Sequence, residues 1–251
     1  MMAEIIELVI LGMGVGAMSG FTGIGGGTIL VPLLLLLGYD MKHAIGISVV
    51  QMVFSSVYGS YLNLKKGTLD IRMVLTIGAG GFTGALSSNF IVSALSGRTL
   101  EWIFFGFILF ALGRMFFETS EHAEGVKKAN PFVLFAVGAL LGALAISIGV
   151  GGSILLVPLL VGFLHVPLKN AISAGLFFVV FSSVSGLISL SSGGHIDYHH
   201  GLIIGVASMA GVFGGIWLKH IVPVKQHKMF MIVFYMVIIG YLFYRLVVKH
   251  G

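Results

Sequence analysis

The chain repeats itself. GFTGIGGGTILVPLL, from Gly20 to Leu34, pairs with ISIGVGGSILLVPLL, from Ile146 to Leu160, so that Pro32 falls on Pro158, 126 residues later. One extra residue then enters the second copy and the spacing becomes 127. Lys42 falls on Lys169, Ala44 on Ala171, FSSVYG from Phe54 on FSSVSG from Phe181, GTLD ending at Asp70 on GHID ending at Asp197, and Gly113 on Gly240. Matches in one order at a constant spacing imply duplication, and a duplicated chain folds as two similar units. The expected organisation is a first repeat over 1–118, a polar linker over 119–130 and a second repeat over 131–251. The linker falls in the one sustained polar stretch, ETSEHAEGVKKANP from Glu118 to Pro131.

Each unit is too apolar for water. Only 9% of the 251 residues are charged and 57% are hydrophobic, whereas about 25% of a typical soluble domain is charged. Apolar runs such as Ile5 to Val15, Ile29 to Leu37, Trp102 to Leu112 and Phe230 to Leu242 are broken chiefly by Gly and Ser. The chain therefore reads as an all-α integral membrane protein in a lipid bilayer. The opening MMAEIIELVI is acidic before its apolar run and reads as a first span rather than a cleaved signal. The net charge of +5 comes from basic residues set singly or in pairs, as at Lys65-Lys66 and Lys127-Lys128. Such a pattern suits headgroup anchoring, with no nucleic-acid partner. The absence of cysteine removes disulfides, thiolate nucleophiles and Cys-ligated metals.

By length, about eight membrane segments are expected, over 5–38, 44–64, 71–95 and 100–117 in the first half and 132–164, 171–190, 198–218 and 229–248 in the second. The first of each set is too long: 34 residues at a rise of about 1.5 Å would reach roughly 50 Å, against a hydrocarbon core of about 30 Å. Each must break, and each holds a glycine cluster, Gly23, Gly25, Gly26 and Gly27 in one and Gly149, Gly151 and Gly152 in the other. Irregular backbone at membrane depth survives only where it lines a cavity or is buried in protein. If half-helices start near Gly27 and Ser153, their free N–H groups favour an anion, with Thr22, Thr28, Ser147 and Ser153 as added hydroxyls. The competing reading is that these glycines only let helices approach closely. No strand precedes the clusters and no GKS or GKT follows, so they are no nucleotide fingerprint.

On the second helix of each half, Gln51, Ser55 and Ser56, and Ser182 and Ser183, could face the same cavity or bond to their own helix. Lys42 and Lys169 stand near the starts of those helices, as a pathway entrance or as headgroup anchors. Asp70 and Asp197 read as caps of the third helices. His195, His199 and His200 fit no closed zinc pattern, so no metal and no cofactor is expected. No Asp or Glu falls in the middle of a predicted span, which argues against a buried carboxylate relay.

At these residues the sequence resembles the TauE/SafE, or sulfite exporter, family of membrane permeases. The resemblance covers nearly the whole chain, through GFTGIGGGTILVPLLLLLG, KHAIGIS and GTLDIR and the repeated IGVGGSILLVPLL, KNAISAG and GHIDYH. It departs at His199, where the first half has Arg72, and in its short central linker. What the resemblance implies is a two-repeat secondary transporter of small anions in the cell membrane (the inner membrane in a Gram-negative bacterium), with sulfite, thiosulfate or organosulfonates such as sulfoacetate as cargo. An anion channel is the alternative within transport. An intramembrane enzyme would need a nucleophile with a base, a metal cluster or paired carboxylates within the spans, and none is evident. Homo-oligomerisation is left open. With eight complete spans and an internal N-terminus, seven basic residues would face the cytoplasm and six the outside, which orients nothing. Broken segments that turn back would instead invert one half relative to the other.

Overall fold

In lipid the backbone has no solvent to bond to, so apolar segments close their hydrogen bonds internally as helices. The computed structural model describes residues 2–65, 71–117 and 130–249, and every regular element among them is helical. They are α1 (Met2–Thr22), α2 (Gly27–Leu36), α3 (Met41–Lys65), α4 (Ile71–Ala85), α5 (Ser88–Ala94), α6 (Gly97–Phe117), α7 (Pro131–Ser147), α8 (Ser153–Leu164), α9 (Leu168–Ser192), α10 (Tyr198–Ile221) and α11 (Val224–Phe243), continued by a π-helical turn over Tyr244–Lys249. Among the described residues five helices, α1, α3, α9, α10 and α11, are long and apolar enough to cross a membrane, and α4 with α5, bent by 41°, makes a sixth. That is fewer than the eight expected. Asp70 and most of the polar linker, residues 118–129, lie outside the described residues.

Part of the difference lies at the second glycine cluster, where neither α7 nor α8 alone is long enough to cross, and both clusters redirect the chain. Along α1, Gly12 rests on Ile204, Gly16 on Ser208 and Gly20 on Val212 of α10; both numbers rise, so the two helices run the same way. Phe21, near the end of α1, stacks on His227 of α11. Yet Tyr39, just beyond α2, meets His200 at the start of α10 edge-on. The chain therefore runs inward with α1 and turns back with α2, and the expected 5–38 segment is a hairpin. The turn uses Gly23 and Gly25 at φ 68° and 86°, a region that costs glycine nothing. In the second half α7 runs along α4, with Gly138 on Ile77 and Gly142 on Gly81, and Gly149, Gly151 and Gly152 at φ 73°, 78° and 86° separate it from α8.

Directions follow from the same contacts. α3 runs with α10, since Gly46 meets His195, Val50 meets Gly201 and Phe54 meets Gly205. α9 runs with α4, the hydroxyls of Ser185 and Ser189 donating to Phe82 O and Leu86 O at 2.5 and 2.7 Å. α3 opposes α9, with Gly59 on Leu176 while Gly46 lies near the end of α9. Hence α1, α3 and α10 point one way and α4, α7 and α9 the other. One face carries Asp40 and the starts of α3 and α10; the opposite face carries Lys169 and the ends of α3 and α10.

Small residues hold the long pairs together. A Cβ on Gly16 would sit 2.0 Å from Ser208 O, and one on Gly84 1.9 Å from Ala139 O. Lipid offers helices no hydrophobic drive to associate, so backbone-to-backbone approach of this kind supplies the packing. At the Asp40 face Arg245 closes the bundle. Its Nη1 donates to Leu35 O at the end of α2 at 2.7 Å and its Nη2 to Glu101 of α6 at 3.2 Å.

Candidate functional site

The two glycine turns meet. Gly27 approaches Gly149 O so closely that a Cβ would lie 1.9 Å away, and Gly25 lies beside Val150 O. Ser153 donates its hydroxyl to Ile24 O, and Ser48 Oγ donates to Gly149 O at 2.7 Å. Ser182 Oγ reaches Gly151 O at 3.0 Å. Ile24 and Val150, at the two tips, are completely buried. Gln51 stands ten residues into α3, about 15 Å along the helix, near half the roughly 30 Å apolar thickness of a bilayer.

Only some of the expected site residues point polar atoms there. Thr22 bonds Met18 O at 2.8 Å and Ser147 bonds Ala143 O at 2.7 Å. Ser55, Ser56 and Ser183 face the carbonyls of Met52, Val53 and Val180 on their own helices. Their hydroxyls are spent on backbone, the ordinary use of serine within a helix. Gln51 and Thr28 differ. Both are fully buried, and among the described residues neither the Gln51 amide oxygen, its nitrogen nor Thr28 Oγ1 has a partner. The Gln51 amide lies over Gly26, where a Cβ would come within 2.0 Å of Oε1. Gly26 is the N-cap of α2 and its carbonyl accepts from the Ile29 and Leu30 N–H groups, so the amide sits at the start of the helix beside the Gly27 and Thr28 N–H groups, which have no acceptor one turn back within the helix.

Gly23 and Gly152 serve packing as well as turning. Gly23 lies against Ile172 and Gly152 against Phe178. Ser48 was not singled out from sequence, because one serine in an apolar helix carries no spacing signal.

Lys42 and Lys169 are on opposite faces. Lys42 lines an open depression of about 500 Å³ with Asp40, His43, His195, Asp197 and Tyr198, whereas Lys169 Nζ donates to His220 O at 3.3 Å. Asp197 caps α10 by accepting from the His200 N–H and bonds the His200 ring at 2.6 Å; Asp40 likewise accepts from the Lys42 and His43 N–H groups and the His43 ring. Partial burial pushes both carboxyls up, but the His43 and His200 bonds outweigh it and hold them below the usual carboxylate range. The histidines here form no metal set: among the described residues no three His, Cys, Asp or Glu side chains converge as ligands.

Lys219, near the end of α10, is completely buried, donating to Asn63 Oδ1 at 2.7 Å and Ser173 Oγ at 3.0 Å.

Known proteins match along the whole bundle. The chain is 29% identical over 198 residues to a probable membrane transporter protein of Methanocaldococcus jannaschii, covering 72% of this chain and 70% of that one. Two probable membrane transporter proteins of Bacillus subtilis, YunE and YdhB, are 23% and 25% identical, with 79% and 83% of this chain and 82% and 87% of theirs covered. No solved structure matches significantly. The family model described as sulfite exporter TauE/SafE matches residues 8–242, which takes in both hairpins and the helices that seat them, and the chain belongs to that family.

Proposed function

We propose that this protein is a secondary carrier of small anions, with sulfur oxyanions or organosulfonates of the sulfite, thiosulfate and sulfoacetate type as cargo. It is built from two inverted repeats, 1–118 and 131–251, that bind the anion between their hairpin tips. The observation that carries this reading is Gln51, an amide at mid-membrane depth with neither end bonded, beside the N-terminus of α2. An unsatisfied buried amide is costly, and next to free helical N–H donors it suits a ligand rich in acceptor oxygens. Thr28 adds a hydroxyl. The membrane transporters among the relatives and the family's description as sulfite exporters support the class.

The tips touch in this conformation, so exchange of cargo requires them to part, first toward one face and then toward the other. Opposed hairpins, each seated on the other half through α1 on α10 and α7 on α4, offer the rigid bodies for such rocking.

The reversals also orient the molecule. Lys65, Lys169, Lys219, Lys225 and Lys228 belong to the Lys169 face, against Lys42, Arg98 and Arg245 at the Asp40 face. The earlier seven-to-six balance assumed eight full crossings; with two hairpins the basic residues gather on one side, which the positive-inside rule makes cytoplasmic.

The test is flux of sulfite, thiosulfate, sulfoacetate and sulfate into proteoliposomes, with and without a pH gradient. Saturable, selective flux is expected, reduced about tenfold or more in Gln51→Leu, the loss of a hydrogen bond to a charged ligand. Non-saturating flux would point to a channel, and no flux from folded protein would remove the cargo assignment.

A further inference from the structure

A second polar cluster lies at the Lys169 face, outside the tips. Lys219 of α10, Asn63 of α3, Ser173 of α9 and His227 of α11 come from four different helices. Lys219, Asn63, Ser173 and His227 are all completely buried. Lys219 Nζ donates to Asn63 Oδ1 at 2.7 Å and to Ser173 Oγ at 3.0 Å, two acceptors that fix its position. Ser173 in turn bonds Lys169 O, one turn earlier on α9, at 3.0 Å. His227 is held by stacking on Phe21, with ring centroids 4.2 Å apart, while neither of its ring nitrogens has a partner among the described residues. The positive charges of Lys219 and Lys169 both bear on that ring.

The fold does not need these side chains. At the spacing of 127 the counterparts of Lys219, His227, Asn63 and Ser173 are Val92, Leu100, Leu190 and Gly46, and Val92, Leu100 and Leu190 are buried apolar residues. The Asp40 face thus makes the corresponding packing with hydrocarbon, at no desolvation cost. A buried ammonium and an imidazole with idle nitrogens are retained on one face only, where a basic group in lipid is expensive and by default functional.

The cluster also adjoins the first tip. Phe21, which covers His227, lies two residues before Gly23, and Gly23 packs on Ile172, next to Ser173. A movement of the α1–α2 turn that carries Phe21 with it therefore uncovers the His227 ring.

We propose that Lys219, Lys169 and His227 form an oxyanion-binding vestibule on the Lys169 face, a waypoint for a sulfite- or thiosulfate-sized anion between that face and the tips. It rests on the carrier reading. The two ammonium groups supply charge, His227 supplies an N–H, and Asn63 and Ser173 hold Lys219 in place.

The test is equilibrium binding of radiolabelled thiosulfate and sulfite to purified protein, with thermal stability measured on the same samples. His227→Phe keeps the stack on Phe21 and removes the two idle nitrogens. It is expected to weaken binding about tenfold while leaving stability equal or higher, and Lys219→Gln is expected to weaken binding at least as much. Should Lys219→Gln fail to fold, Lys169→Gln, at a partly exposed position, is expected to weaken binding about threefold. Unchanged affinity in His227→Phe and Lys169→Gln overturns the vestibule, as does a wild-type protein that binds neither anion. Gln51→Leu runs in parallel: loss of binding there with wild-type affinity in His227→Phe keeps the tip site and rejects the vestibule, and the reverse keeps the vestibule and rejects the tip site. In nanodiscs, displacement of thiosulfate by phosphatidylglycerol but not by phosphatidylcholine would assign the cluster to lipid phosphate and overturn its role as a waypoint.

Discussion

Gly27→Ala tests whether the two tips touch. A Cβ at Gly27 would lie 1.9 Å from Gly149 O and 2.6 Å from Ser48 Oγ, against 3.4 Å or more for ordinary contact. The tips must part by about 1.5 Å along that line, and the obstacle is backbone, which cannot swing aside as a side chain can. Overpacking of this kind costs about 1–3 kcal/mol, and loss of the Ser48 to Gly149 hydrogen bond adds about 1 kcal/mol. At about 2–4 °C per kcal/mol for a chain of this size, the melting temperature should fall by roughly 4–16 °C. The control is Gly106→Ala, where nothing lies within 4 Å of the added carbon and helix propensity favours alanine. Thermal unfolding of detergent-purified protein, followed by fluorescence-detected size exclusion, reads both. If Gly27→Ala melts with Gly106→Ala, the tips are not in contact and the site built on them fails.

Gly26→Ala should separate stability from transport. Its Cβ would meet the mobile end of Gln51 at 2.0 Å, so the amide moves, melting changes little and flux falls about tenfold; wild-type flux would remove Gln51 from the site. Asp197→Ala removes the cap of α10, worth about 1 kcal/mol near neutral pH. Because the folded carboxyl titrates below its ordinary 3.8, that contribution is complete above this value and is lost as pH falls through the folded pKa. The melting gap between wild type and variant should therefore be widest near pH 7 and close in acid; a gap that widens in acid would contradict the pairing with His200. For orientation, a periplasmic-type reporter fused after Gly251 should be active and one inserted in the 119–130 linker inactive. Reporters on the same side would refute the directions assigned to the helices.

Composition and run length made the helical membrane class legible, and the glycine clusters mark where α1 and α7 end. The sense of the turn was not legible, because hydropathy measures length without direction. What sends α2 back is where it is fastened, through Leu35 O to Arg245 and Tyr39 to His200, contacts with residues some 160 to 210 positions away. The bend between α4 and α5 was missed for a similar reason. Leu86 and Ser87 suit a helix, and the interruption is stabilised from α9, where Ser189 accepts from the Asn89 N–H and donates to Leu86 O. Lys219 looked like a headgroup anchor because it closes an apolar span beside His220; its burial depends on α3 and α9 meeting around it, which no local pattern encodes. Within the candidate site, residue type identified Gln51 and Thr28, but the same reasoning also gathered serines whose hydroxyls are spent on their own helices.

The two tips pack alike and differ chemically, and the difference bears on how such a carrier would work. Gln51 lies over Gly26, whereas its counterpart at the spacing of 127, Phe178, lies over Gly152. Among the described residues the unpartnered polar atoms of Gln51 and Thr28 therefore lie at the tip of the first half, and the buried basic cluster on the Lys169 face. Such asymmetry cannot set the direction of net transport, which the gradients decide, because an unequal pair of states shifts populations without supplying free energy. It can set the apparent affinity on each side. With Lys219 and His227 available only from the Lys169 face, half-saturation should occur at lower anion concentration from that face, and detailed balance then requires a proportionately lower maximal rate in that direction. Lys219→Gln should draw the two half-saturation values together and the two maximal rates with them. A wild-type carrier with equal half-saturation on both faces would show that the cluster plays no part in the transport cycle, however the tips behave.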